Sequence, residues 1–409
     1  MDLLSIIALL VTLSALFSYF NYRFLKLPMS IGVMILALFL SLCLVLIGSL
    51  VPGIEEKATM LLGNIDFEKL LLRGLLGYLL FAGALHVNIN DLREQKWIIS
   101  SLASFGVIAS TLMVGLFTFV VFNLLHQDVP FIYCLLFGAL ISPTDPIAVL
   151  SILKAAKAPK GLETKIAGES LFNDGIGVVV FTVLLGLVDG SRSLDPGHVI
   201  LFLIEEAVGG VMLGGLLGWT VYKMLKSVDH YHVEVLITLA LVMGGYELAA
   251  ALHTSPAITV VVAGLLIGNR GRLLAMSDKT REHLDTFWEL VDEILNASLF
   301  VLLGLEILIL NVTLGYFAAG LIMIPIVLLS RFITVSIPIL ILRTYRTFSP
   351  GVIKILTWGG LRGGISVALA LSLPAGKPRD IVLVMTYGVV IFSIIVQGLT
   401  IKRLLPKEA

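Results

Sequence analysis

The stretch FIYCLLFGALISPTDPIAVLSIL, residues 131–153, is apolar enough to span a membrane but carries an aspartate between two prolines near its centre. A second stretch, GESLFNDGIGVVVFTVLL at 168–185, carries two carboxylates. Two further apolar stretches each carry one arginine, Arg331 in IPIVLLSRFITVSIPIL and Arg362 in WGGLRGGISVALALSL. A charge at the bilayer centre costs about 2.5–3.5 kcal/mol on insertion scales. Charges kept at such positions indicate paired groups or a pathway for ions.

The overall composition indicates a membrane protein. The 409 residues are 58% hydrophobic and only 14% charged, which is more apolar side chain than a soluble core of this size takes up. The 28 basic and 28 acidic residues give a net charge of zero, so no nucleic-acid-binding surface is predicted. Cys43 and Cys134 both lie in apolar runs and predict neither a disulfide framework nor a metal site.

Apolar runs of about 20 residues predict an all-α polytopic membrane protein with about thirteen transmembrane helices. The first run lacks a basic segment and a cleavage motif, so we interpret it as a helix rather than a removable signal. The predicted spans are 3–20, 30–50, 69–87, 97–123, 130–153, 162–188, 198–222, 233–251, 256–269, 287–310, 314–342, 352–373 and 380–401.

Lysine and arginine are unevenly divided between alternate loops. Of these 28 residues, 20 fall on one side, five fall on the other, and Arg73, Arg331 and Arg362 lie within spans. Loops rich in lysine and arginine stay in the cytoplasm. The distribution therefore predicts a multi-pass protein of the cell (inner) membrane, with the N-terminus outside and the C-terminus in the cytoplasm.

Two predicted helices contain helix-breaking residues. Pro143 and Pro146 remove backbone donors in span five, and four glycines surround Arg362 in span twelve. Interrupted helices at corresponding places in two halves are typical of transporters built from inverted repeats. We therefore predict two inverted six-helix repeats whose broken helices cross, with freed carbonyls and helix ends near mid-membrane. The alternative is a pair of kinked packing helices.

Span six presents an oxygen-rich face. Glu169, Asn173 and Asp174 are spaced i, i+4 and i+5, and Ser170 lies alongside Asp174. Carboxylate, hydroxyl and amide oxygens suit Na⁺, Li⁺ or H⁺. Burial disfavours the charged form of a carboxyl, so a single carboxyl holds either a proton or a cation. This mutual exclusion is enough to couple two opposite fluxes.

Glu169 is predicted to pair with Arg331. An arginine does not release its proton during turnover, and residue 173 is an asparagine rather than a second aspartate. The site then has one obvious titrating group, Asp174. We therefore predict electroneutral exchange of one proton per monovalent cation. Arg362 is predicted to compensate the charge of the broken helix ends.

The segments SPTDPIAVL, GESLFNDGIGVVVF, FWELVDEILNASLFVLLGLEI and WGGLRGGISVALAL resemble those of the cation:proton antiporter-1 family of bacterial NhaP-type and animal sodium/proton antiporters. The resemblance runs along nearly the whole chain and lacks the long cytoplasmic tail of the animal exchangers, as in a minimal bacterial form. It implies that Asp174 binds cation and proton, preceded by the family's asparagine, Asn173. It also implies that Thr144, Asp145 and Ser170 complete a Na⁺ site.

The same resemblance implies a homodimer that exchanges Na⁺ or Li⁺ for H⁺, without a cofactor, and serves pH homeostasis. A mobile core would move against a dimer scaffold and expose the site alternately to each side of the membrane. The scaffold is predicted in 1–93 and, with a linker, in 191–310. The core is predicted in 94–190 and 311–409.

Several alternatives are considered. A K⁺/H⁺ antiporter of the same family would have a similar sequence. An intramembrane aspartyl protease would use Asp145 and Asp174, but the partner motifs of such enzymes are missing. A sodium-coupled symporter would need an organic-substrate pocket that no cluster of residues suggests.

Some charged residues have no assigned role from sequence. Asp292 and Glu293 are expected at the cytoplasmic start of span ten, where they would attract cations or cap the helix. The roles of Glu247, Glu306 and Arg73 stay open, as do the pH set-point and the preference among Na⁺, Li⁺ and K⁺.

Overall fold

The computed structural model describes residues 3–50, 69–156, 158–188, 196–309, 313–346 and 348–405. Within these ranges the regular structure is helical, and no strand is formed. The predicted outer loop at 51–68 and the loop at 189–195 lie outside the described residues, as does the side chain of Arg73. The all-α fold class is therefore confirmed for the described chain.

We number sixteen principal helices in chain order; short helical turns that continue them are not numbered. Their bounds are α1 Leu3–Phe20, α2 Met29–Leu50, α3 Leu76–His86, α4 Ile89–Ala103, α5 Phe105–Leu124, α6 Phe131–Ile141, α7 Ile147–Ala155, α8 Lys160–Val188, α9 Pro196–Lys226, α10 Tyr231–Ala251, α11 Pro256–Leu266, α12 Asp278–Glu306, α13 Leu314–Leu342, α14 Val352–Trp358, α15 Gly364–Leu371 and α16 Lys377–Phe392.

Each predicted span overlaps at least one of these helices. Eight helical stretches among the described residues are long and apolar enough to cross a membrane. Three shorter apolar stretches, at 70–86, 131–141 and 256–271, accompany them. The exact count of thirteen transmembrane helices stays a prediction.

The tenth predicted span begins earlier than expected. Its helix, α12, starts at Asp278 rather than at residue 287, because the Ser277 hydroxyl caps it by accepting a hydrogen bond from the Thr280 amide. The polar sequence DKTREHLDT therefore continues the helix instead of forming a loop. As a result, Asp292 lies halfway along α12, and the expected position at the start of the helix is wrong.

Both predicted breaks are present. Span five is divided into α6 and α7 around Pro143 and Pro146, and span twelve into α14 and α15 around its glycines. The two non-helical segments touch, because the Asp145 amide donates a hydrogen bond of 2.8 Å to the Leu361 carbonyl. This bridge sets the crossing point of the two broken helices, where the charged residues of both meet.

Glycines permit close helix packing near this crossing. A side chain at Gly177 of α8 would meet Pro143 at 2.3 Å, so only a glycine lets α8 approach the break. In another helix pair, Gly214 places α9 against the Thr259 carbonyl of α11, where an added Cβ would lie 2.4 Å away. Small residues therefore bring helix backbones together, as they do in membrane bundles.

Candidate functional site

Side chains of α8 form hydrogen bonds with Thr144 in the unwound segment of span five. The Asn173 amide donates to the Thr144 hydroxyl at 2.9 Å and accepts from the Thr144 backbone amide at 3.2 Å. The Ser170 hydroxyl donates to the Thr144 carbonyl. Both side chains are buried. Backbone groups that lost helical partners at the break are thus satisfied by side chains of α8, as burial requires.

Asp174 lies on α8 next to these hydrogen bonds. Only 6% of the residue is exposed, and no described residue donates a hydrogen bond to its carboxylate. The charged groups that act on it electrostatically are Asp145 and Arg362. A buried carboxyl in this setting needs a proton or a cation to complete it.

Asp145 is oriented by the start of α7. Its Oδ1 accepts a hydrogen bond of 2.9 Å from the Ile147 amide, in the manner of a helix-capping carboxylate. On its other side the backbone of Gly363 approaches closely. A Cβ added at Gly363 would lie 2.3 Å from Oδ2 and 2.7 Å from the Cβ of Asp145. Asp145 is therefore positioned by both broken helices.

Gly363→Ala should reduce transport strongly, because the added methyl group must displace the carboxylate of Asp145 or separate the broken helices. We expect the cation concentration for half-maximal exchange to rise about tenfold or more, as for loss of one charge-assisted contact. Gly315→Ala, where an added Cβ meets nothing within 4 Å, is the matched control and should leave exchange unchanged. Equal behaviour of the two variants would contradict the positioning of Asp145 by Gly363.

Arg362 lies at the opposite end of the break. Its Nη1 donates to the carbonyls of Ser142 and Pro143, the second at 2.9 Å, and these carbonyls follow the last turn of α6. Its own backbone amide donates to the Ser393 hydroxyl at 2.8 Å. A cation placed on the unsatisfied carbonyls at a helix C-terminus is electrostatically favourable. This is the geometry expected of charge compensation, and the role itself stays a prediction.

Glu169 and Arg331 are in contact, as predicted from the sequence. Arg331 of α13 forms a buried ion pair with Glu169 through Nη1, and its Nη2 donates to the Leu356 carbonyl at 3.2 Å. Glu169 is 1% exposed and Arg331 6% exposed. The pair connects α8, α13 and α14, so it joins both broken-helix units.

The structure thus brings all eight predicted residues around one crossing point, listed as Thr144, Asp145, Glu169, Ser170, Asn173, Asp174, Arg331 and Arg362. Sequence reasoning missed Ser393, which binds the backbone of Arg362, and Gln397, whose amide donates to the Trp358 carbonyl at 2.9 Å. Their signal was present, since both are polar residues in the apolar run at 380–401. Glu247, left open above, is exposed.

Known proteins are similar to this chain in sequence and in fold. The family described as "Sodium/hydrogen exchanger, transmembrane" matches residues 9–407. The chain belongs to the sodium/hydrogen exchanger family. It is therefore a multi-pass membrane transporter and not an enzyme, so the intramembrane-protease alternative is wrong.

Relatives of this exchanger cover almost its whole length. It is 51% identical to the Na(+)/H(+) antiporter NhaP of Pseudomonas aeruginosa over 98% of this chain and 95% of that protein. It is 37% identical to the Na(+)/H(+) antiporter NhaH of Halobacillus dabanensis, covering 94% and 93% of the two chains. The solved structure of the sodium proton antiporter MjNhaP1 from Methanocaldococcus jannaschii at pH 8 superimposes with a TM-score of 0.76 at 21% identity, covering 99% and 98%. That structure shares the fold.

Proposed function

We propose that this exchanger carries Na⁺ or Li⁺ in one direction and H⁺ in the other, using Asp174 as the shared binding group. The observation that carries the proposal is the buried carboxylate of Asp174, which no hydrogen bond from the described residues occupies. The names of the Pseudomonas and Halobacillus relatives support Na⁺ and H⁺ as the exchanged ions.

The proposed cation ligands are the carboxylates of Asp174 and Asp145, the Thr144 carbonyl and the Ser170 hydroxyl. All are hard oxygen donors, which suit a small alkali cation. The Thr144 carbonyl accepts from Ser170 and keeps a second lone pair for a cation. Asn173 does not need to bind the cation itself, because both ends of its amide already hold Thr144. It positions the Thr144 carbonyl next to the carboxylates.

Two features support a single proton per cycle. Glu169 is held in a buried ion pair by Arg331, whose guanidinium does not release its proton. Asp145 is held at Oδ1 by the Ile147 amide, whereas the carboxyl of Asp174 accepts no hydrogen bond from the described residues. Asp174 then remains as the group that alternates between proton and cation. Exchange is accordingly one-for-one and electroneutral.

Electroneutral exchange predicts that the membrane potential has no effect on the transport rate. We expect vesicles clamped with K⁺ and valinomycin to show the same Na⁺-driven pH change at zero and at inside-negative potential. An exchange that moved one net charge would instead gain or lose about 2.3 kcal/mol of driving force per 100 mV. A current on solid-supported membranes that reverses with the ion gradient would contradict one-for-one exchange.

We further propose an alternating-access cycle in a homodimer of the cell (inner) membrane, with the basic side of the protein in the cytoplasm. The core comprises 94–190 and 311–409, and the scaffold comprises 1–93 and 191–310. The bonds that α8, α13 and the broken helices form with one another support motion of the core as one body.

A further inference from the structure

Asp292 on α12 is a half-buried carboxylate without a cationic partner. The charges that act on it are those of Asp145, Glu293 and Glu289, and all of them are negative. None of the ion pairs in the described part of the chain includes it. A carboxylate withdrawn from water without a counter-charge is costly, and the buried Glu169 avoids this cost by pairing with Arg331. A mobile cation would supply the missing charge.

The side of α12 that carries Asp292 is directed at the broken helices. Asp292, Asn296 and Leu299 are spaced i, i+4 and i+7 and therefore share one helical face. Leu299 packs against the start of α15, where a Cβ added at Gly364 would lie 2.5 Å from its Cδ1. The preceding residue of that segment, Gly363, is the one beside Asp145. This face of α12 thus lies at the boundary between the proposed scaffold and the proposed core.

Asn296 supplies a second oxygen ligand next to Asp292. It is only 5% exposed, yet neither Oδ1 nor Nδ2 has a well-formed hydrogen bond to any described residue. Its amide is within reach of only a weak hydrogen bond to the Asp292 carboxyl. A buried amide without a hydrogen bond of normal geometry is expensive to keep, so its presence here points to a ligand. Carboxylate and amide oxygens together suit a monovalent cation.

We propose that Asp292 and Asn296 form a second cation site, on the scaffold side, that holds the cation before it passes to Asp145 and Asp174. The inference rests on the proposed exchange function and adds a binding step to it. Asp292 is fourteen residues into α12, which places it about 21 Å from the start of the helix. Asp145 is among the charges that act on Asp292, so the site lies beside the crossing point of the broken helices.

A general negative potential is the competing explanation for acidic residues along an entry route. Glu289 and Glu293 are exposed on α12 and contribute to such a potential, which concentrates cations without binding them. This effect depends on charge alone and is screened by salt. A binding site depends instead on particular atoms, so it responds to the neutral Asn296 and persists at high ionic strength.

The test is the Na⁺ dependence of exchange in vesicles carrying a pH dye, with choline chloride used to raise ionic strength. Asp292→Asn should raise the Na⁺ concentration for half-maximal exchange about tenfold, as for loss of one charge-assisted contact, and leave the maximal rate within about twofold. Asn296→Ala should shift it in the same direction without a change in charge. Glu293→Gln, on the neighbouring exposed position of the same helix, is the matched control and should shift it little.

Three results would overturn this site. These are an unchanged Na⁺ dependence in Asp292→Asn, a shift no larger than that of Glu293→Gln, and loss of the shift when choline chloride is raised. Thermal unfolding of each variant, compared with the parent protein, shows whether the fold is retained. The proposed exchange function is tested independently of this site. Exchange by Asp174→Asn would contradict the exchange function, whatever the result for Asp292→Asn. A missing effect of Asp292→Asn alone would contradict only the second site.

Discussion

Asp174→Asn should reduce cation-driven proton movement to the rate of vesicles without protein. The asparagine side chain can neither carry a proton nor offer a negative charge, and the other carboxylate at the crossing of the broken helices, Asp145, is held at Oδ1 by the Ile147 amide. Because asparagine has nearly the same shape as aspartate, the fold should be retained. The measurement is dequenching of a pH dye after addition of Na⁺, Li⁺ or K⁺.

A matched control separates the site from a general effect of charge. Glu247→Gln removes a carboxylate from the exposed surface of α10 and should leave the exchange rate unchanged. Both variants should insert and unfold at the temperature of the parent protein. If Asp174→Asn still exchanged Na⁺ for H⁺, the binding group would have to lie elsewhere. The three cations, compared in the parent protein, also decide between a Na⁺(Li⁺) and a K⁺ exchanger.

Glu169→Ala or Arg331→Ala should destabilise the protein far more than it changes the chemistry of exchange. Each substitution leaves the other partner as an unpaired charge in a buried position, because both residues are nearly inaccessible to solvent. Breaking a buried ion pair in this way costs about 3–5 kcal/mol. Thermal unfolding in detergent should therefore show a clearly lowered midpoint for each single variant.

The double variant Glu169→Ala/Arg331→Ala provides the control. It removes both charges, so it should unfold at a higher temperature than at least one single variant, as expected for residues in direct contact. A structural pair also predicts that exchange per folded molecule persists. Normal unfolding of Glu169→Ala together with complete loss of exchange would instead place Glu169 in the transport step.

The two carboxylates of α8 illustrate how position decides the role of a residue. Glu169 and Asp174 are five residues apart on one helix and similarly buried. Glu169 meets an arginine from α13, whereas Asp174 meets the unwound segment of span five and no donor from the described chain. The first is thus paired within the protein, whereas the second is the group proposed to bind the exchanged ions.

Much of this arrangement could be predicted from the sequence, because it depends on local chemistry. Pro143 and Pro146 break a helix wherever they occur, and the spacing from Ser170 to Asp174 places these two side chains on one face of any α-helix. A charge in an apolar run is likewise visible without a structure. These local signals led to the broken helices and to the eight residues around their crossing.

Contacts between distant segments could not be predicted in this way. The approach of Gly363 to Asp145 joins residues more than 200 positions apart and depends on the angle at which the broken helices cross. The binding of Arg362 by Ser393 likewise depends on how α16 packs. The predicted start of α12 is too late because the apolar sequence ends before the helix does, and the helix continues to its cap at Ser277. Asp292 therefore lies midway along the helix and not in its first turns.

Proton release on cation binding tests directly whether Asp174 holds H⁺ and Na⁺ alternately. Purified protein in weak buffer near neutral pH, with a pH indicator, is titrated with NaCl and, as a control, with choline chloride. We expect NaCl to release one proton for each Na⁺ bound, choline chloride to release none, and Asp174→Asn to release none with either salt. Binding of radioactive Na⁺ to the parent protein without any release of protons would contradict exchange at a shared carboxylate.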